Sequence, residues 1–374
     1  MNRSIKMACA TLVLSIISIS CEKDNPDEIV TQDFSDGVNL EAATNNLELK
    51  DDAKKWQDEN SKNLAYLFRN AVAPSPCGPT ELRDVQNKYI NSIIADPLAL
   101  SYVSLYSDIN YYYSFLLNEG DQYFGEDGNY TQLMTKRERE LNKFWSMPVD
   151  ITVKGEHTAN LNDREKVAEV FYSFFGFRDA QGNFVPLTQE QAYEQADIIL
   201  ELNEQSPNLP ENPYFATDGF ASSNRTIVIG DGLPDWLSQT GIDEGIVWTG
   251  ILAHEWAHEI QFLNFGDWYP NGAAQDPAEA TRYTELEADF IASYYMTHKR
   301  GATYNWKRVE QFLDLYFQIG DCSFSSSGHH GTPAQRMAAS RAGYDLAQNA
   351  QKQGHILTMD EAHAAFVATI SDIL

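Results

Sequence analysis

One run of residues constrains this chain more than any other. His254-Glu255-Trp256-Ala257-His258 lies inside a long apolar segment that opens at Asp243 and has Pro270 beyond its end. Asp243 is a good N-cap, and the segment Gly245-Ile246-Val247-Trp248 through Gln261 reads as one helix. On a helix, residues four apart project from the same face, so His254 and His258 can converge on one cation. Glu255 lies one step round the turn, beside that cation rather than on it. The alternative is a pair of histidines that merely pack or face solvent.

A second segment weighs against that alternative. A helix beginning near Pro277 carries Glu285-Leu286-Glu287-Ala288-Asp289, in which Glu285 and Asp289 again share a face. Glu285 completes a His-His-Glu set of the kind that holds zinc with one coordination position open. Asp289 then accepts a hydrogen bond from a ligand imidazole and fixes its tautomer; the reverse assignment, with Asp289 as ligand, stays open. Glu287 points elsewhere. One zinc ion in such a site lowers the pKa of bound water from about 15.7 towards about 7, and Glu255 can take the proton and pass it to a leaving amine.

These two motifs, followed by His330-Gly331-Thr332-Pro333-Ala334-Gln335-Arg336-Met337, resemble the ordered signatures of bacterial neutral zinc metallopeptidases of the gluzincin class. The resemblance spans roughly residues 224–347. It implies an α+β, predominantly helical zincin-like fold with a small sheet above the active-site helix. It also implies His254, His258 and Glu285 as ligands, Glu255 as general base and acid, Asp289 as supporting carboxylate, and a peptide or protein substrate. The chain departs from the neutral peptidases at Phe290, where that subgroup often has Cys, and it lacks the transmembrane helices of membrane-embedded relatives. In the third motif, His330, His329 or Arg336 could donate to the oxyanion of a tetrahedral intermediate, with His330 the candidate catalytic residue. Equally, Thr332 could cap the helix entered at Pro333 while Arg336 pairs with a carboxylate. The strand Thr226 to Ile229 precedes the active-site helix, and the resemblance implies that it forms the sheet edge on which an extended peptide pairs; an internal strand is the plain alternative.

Around this centre, the chain divides by composition. Arg3 and Lys6 precede the short apolar stretch Met7 to Ser20, which reads as an export signal over residues 1–20. Ser18-Ile19-Ser20-Cys21 resembles a bacterial lipobox with Cys21 as the acylated residue, implying an outer-membrane lipid anchor; ordinary secretion is the alternative. Residues 21–38 read as an acidic tether, 39–142 as an N-terminal helical region and 143–374 as the catalytic domain. Within the helical region the cluster Tyr111-Tyr112-Tyr113 reads as core. Cys77 and Cys322 are the cysteines left for the folded body, and whether they pair stays open. With 43% hydrophobic residues the chain can bury a large core, and its net charge of −27 makes nucleic acid a poor partner.

Two functions from other classes fit less of the pattern. A non-catalytic, zincin-like binding lipoprotein at the cell surface has no chemical need for Glu255. Hydrolysis of a different amide uses the same groups on another substrate.

Overall fold

A computed structural model describes residues 47–57, 80–319, 331–353 and 355–374. In chain order the elements are β1 (Glu48–Leu49), α1 (Glu81–Ile94), α2 (Pro97–Tyr112), α3 (Thr131–Trp145), β2 (Thr152–Glu156), α4 (Arg164–Phe174), β3 (Phe175–Arg178), β4 (Phe184–Pro186) and α5 (Gln189–Gln205). There follow β5 (Gly219–Ser222), β6 (Thr226–Gly230), α6 (Gly232–Ser238), α7 (Glu244–Trp268), α8 (Pro277–Thr297), α9 (Trp306–Gln318), α10 (Pro333–Gln353) and α11 (Met359–Thr369). The class is α+β, mostly helical, with two three-stranded sheets.

The helix α7 begins where the sequence places it and runs past Gln261 to Trp268, and local chemistry explains its start. The Asp243 carboxylate accepts from the Ile246 N–H, and Glu244 adds negative charge to the first turn. From Ile246 to Ala257 every residue is buried, so the helix runs through the core with neighbours on all sides. Helix α8 starts on Asp276, which caps Ala278 and Glu279, with Pro277 in the first turn. α8 packs against α7 on one side and α10 on the other. That second packing depends on Gly343, because a side-chain carbon there would lie 2.2 Å from the Phe290 carbonyl oxygen. The close approach of α10 delivers Arg336 to α8.

The larger sheet corrects one expectation. Its strand order is β2-β6-β5, with β2 parallel and β5 antiparallel to β6, so the strand Thr226–Gly230 is central and fully buried. The edge facing α7 is β5, a segment too short and too weakly patterned to announce itself as a strand. Phe220 of β5 packs against Tyr111 and Phe115. Tyr111 and Tyr112 are core residues, as their spacing suggests.

Residue 142 lies inside α3, whose break falls at Ser146 in the left-handed region (φ 49°). The buried face of α3 belongs to the same hydrophobic core as α7 and α8. Tyr130, just before α3, stacks on Trp248 and donates to Glu244, tying the N-terminal helices to the start of α7.

Candidate metal centre

Residues 27 to 35 positions apart in α7 and α8 meet because the two helices pack face to face. His254 Nε2 lies 3.2 Å from Glu285 Oε2, His258 Nε2 lies 3.3 Å from Glu285 Oε1, and the two Nε2 atoms are 3.1 Å apart. Among the described residues this is the group of His, Cys, Asp or Glu whose donor atoms all fall within 4.8 Å of one another. It can bind a metal ion.

The outward nitrogens sharpen the argument. His254 Nδ1 faces Asp289 Oδ1 at 3.0 Å, and His258 Nδ1 faces Gln261 Oε1 at 2.8 Å. With the Nδ1 atoms turned outward to Asp289 and Gln261, the two Nε2 atoms converge on each other and on a carboxylate. Such an array is satisfied by positive charge in its midst. The electrostatics agree: burial alone would lower His254, yet Asp289 and Glu285 outweigh it and raise the ring to about 10. His258 is raised too, burial again being overcome by Glu285. Two imidazoles and one carboxylate suit zinc, so the residues fit the metal that the sequence suggests.

Glu255 is buried beside these groups, and burial raises its carboxyl above the usual range, partly offset by the nearby His254 and His258. A carboxyl held beside the metal group and raised in this way is placed to take and return a proton. Above it lies the start of β5: a side-chain carbon at Gly219 would sit 4.0 Å from Glu255 Oε1.

Asp289 stands between His254 and α10. Its carboxylate receives Arg336 through two bonds, Nε to Oδ2 and Nη2 to Oδ1, each 2.7 Å. Arg336 Nη2 also stands 3.8 Å from Glu285 Oε2. Thr332 caps α10 by accepting from the Gln335 N–H at 3.1 Å. The third motif therefore takes its structural alternative at Thr332 and Arg336. His329, His330, Cys21, Cys77 and Cys322 lie outside the described residues.

Two site residues escaped sequence reasoning. Gln261 sits one turn beyond His258, a position that could have flagged it as a partner for the ring. Glu287, which points away from the metal group as expected, is a fully buried hub that accepts from Gln261, Tyr269 and His363. Nothing in its spacing signals that, since His363 is 76 residues away.

No known protein family, curated protein or solved structure matches the chain. No described helix is long and apolar enough to cross a membrane.

Proposed function

We propose that this chain is a zinc-dependent peptidase, with His254, His258 and Glu285 holding the ion and Glu255 moving the proton. The observation that carries this reading is the convergence of three donor atoms on one point with the buried carboxyl of Glu255 alongside. The bound cation would supply Lewis acidity, polarising a carbonyl oxygen and making water a stronger acid. Glu255 accepts a proton as water attacks the carbonyl carbon, and returns it to the amide nitrogen as the C–N bond breaks. Asp289 and Gln261 keep both imidazole protons on the outward nitrogens.

Substrate is read through its main chain along β5. The Gly230 N–H bonds to the Asp218 carbonyl at 2.7 Å, so antiparallel alternation turns the N–H and C=O of Gly219 and Ala221 away from β6. An extended peptide can pair with those groups and lie across Glu255. The sequence before residue 38 supports export and anchoring through a lipidated Cys21 at the outer membrane.

The test compares zinc content and hydrolysis of a broad peptide library for the mature protein and Glu255→Gln. One zinc in both with turnover only in the unsubstituted protein supports the reading. Zinc in both with turnover in neither favours the binding lipoprotein, and cell-wall amides assayed alongside separate the other amide hydrolysis. Absence of zinc from both removes the metal site.

A further inference from the structure

His258 is held by a chain of hydrogen bonds that ends on the last helix. Its first link, Gln261, is 3% exposed and uses both ends of its amide. Nε2 donates to the Thr284 carbonyl at 2.8 Å and to Glu287 Oε2 at 3.2 Å, while Oε1 faces His258 Nδ1 at 2.8 Å. A backbone carbonyl can only accept, and so can an ionised carboxylate. The opposite amide orientation would set Oε1 against two acceptors. Gln261 therefore presents oxygen to the ring, and the His258 proton belongs on Nδ1.

Glu287 and the Thr284 carbonyl together hold Gln261 in that pose. Glu287 is fully buried in α8, where Tyr269 donates to Oε2 and His363 Nδ1 lies 2.6 Å from Oε1. His363, on α11, is itself pinned by the indole of Trp268, stacked at 4.3 Å and 8°. Trp268 Nε1 donates to Asp360 Oδ1 at 2.8 Å, closing the link between the end of α7 and the start of α11.

We propose that Gln261, oriented by Glu287 and His363, is a positioning residue that locks His258 in the tautomer offering Nε2 to the metal, making the C-terminal helix part of the metal site. This rests on the metal-site reading above. It assigns work to a glutamine, a glutamate and a histidine that the hydrolytic step itself leaves unused.

The test uses the intact mature protein, stripped with a chelator and titrated with Co²⁺ while visible absorption is followed. Gln261→Met keeps the volume and removes the acceptor; it should weaken Co²⁺ binding about 10–100-fold. Gln261→Glu restores an acceptor for Nδ1 but turns its second oxygen towards the Thr284 carbonyl and Glu287, so its affinity should fall between those of the parent and Gln261→Met, a partial rescue that lost packing alone would not give. His363→Ala should weaken binding in the same direction. In the zinc-loaded unsubstituted protein, ring-nitrogen NMR should find the His258 proton on Nδ1. Unchanged affinity and spectrum in Gln261→Met, or a His258 proton on Nε2, overturns the positioning role and leaves the metal site standing. Failure of the unsubstituted protein to bind Co²⁺ overturns both.

Discussion

Arg336 and Asp289, 47 positions apart in sequence, form a two-pronged ion pair that is almost wholly removed from solvent, with exposures of 3% and 0%. The same Asp289 oxygen that takes Arg336 Nη2 lies 3.0 Å from His254 Nδ1. One carboxylate thus joins α10 to a ring of the candidate metal group on α7.

Arg336→Met should leave Asp289 buried without its counter-charge. Breaking a buried pair from one side costs about 3–5 kcal/mol, far above an exposed pair. Urea unfolding in metal-free buffer should register that loss, and adding Asp289→Asn to the same chain should recover part of it. Arg336→Lys should fall between, because an ammonium cannot reproduce two parallel bonds. A loss under about 1 kcal/mol for Arg336→Met would mean that the pair does not hold the helices together.

A pair of adjacent acids, Glu156 and Asp218, makes stability depend on pH. Glu156 ends β2 and Asp218 precedes β5; the Asp218 N–H donates to Glu156 Oε2 at 3.2 Å. Burial foremost, then Asp218, raises Glu156 well above the carboxylate range, and burial raises Asp218 to about 6. Carboxyls raised in this way bind more protons folded than unfolded, so stability falls as pH climbs from about 4 through their folded values. Asp218→Asn removes one ionising group and gives Glu156 a permanent donor. Its melting temperature should exceed the parent's at pH 8, with the gap closing towards pH 4. A gap independent of pH would contradict the shared-burial argument.

The hairpin carrying β5 is tied to α7 through Arg225, whose Nη1 lies 3.2 Å from Glu259 Oε2. Glu259 is wholly buried, while Arg225 occupies the left-handed region at φ 74°. Asn tolerates that backbone better than Arg does, so Arg225→Asn separates charge from conformation. Loss of the charge should dominate, lowering stability by about 1–3 kcal/mol in chemical denaturation. A neutral or stabilised variant would mean that backbone strain at this turn outweighs the ion pair.

Much of the centre was legible because it is written in helical spacing. His254 and His258, like Glu285 and Asp289, need one turn of helix to share a face, and Asp243 and Pro277 mark where their helices begin. Strand pairing is not written that way. Thr226–Gly230 stood out as a strand, yet its place in the middle of the sheet depends on Thr152–Glu156 and Gly219–Ser222 coming to either side. The first carries Lys154, Gly155 and Glu156 among its five residues, and the second is four half-buried residues without alternation. Glu287 was illegible for a related reason: its partners Tyr269 and His363 arrive from different elements, and only packing unites them.

Gly219 provides the sharpest test of β5 as the substrate edge. A β-carbon at this position would meet Leu233 Cδ2 at 2.9 Å, the end of a flexible side chain, and stand 3.8 Å from Ile251 Cγ2 and 4.0 Å from Glu255 Oε1. Alanine should therefore be accommodated by a shift of Leu233, at about 1–3 kcal/mol for the overpacking. Valine adds two further carbons in the space between the strand and the carboxylate. Gly219→Val should keep the zinc content of the parent, since none of the three ligands moves, while peptide turnover falls by at least about tenfold, roughly 1.4 kcal/mol of barrier. Gly219→Ala controls for strand stability and should retain more activity than valine. Equal turnover in the parent and Gly219→Val would mean that peptide does not pass between β5 and Glu255, and substrate would then have to enter from another side of the metal group.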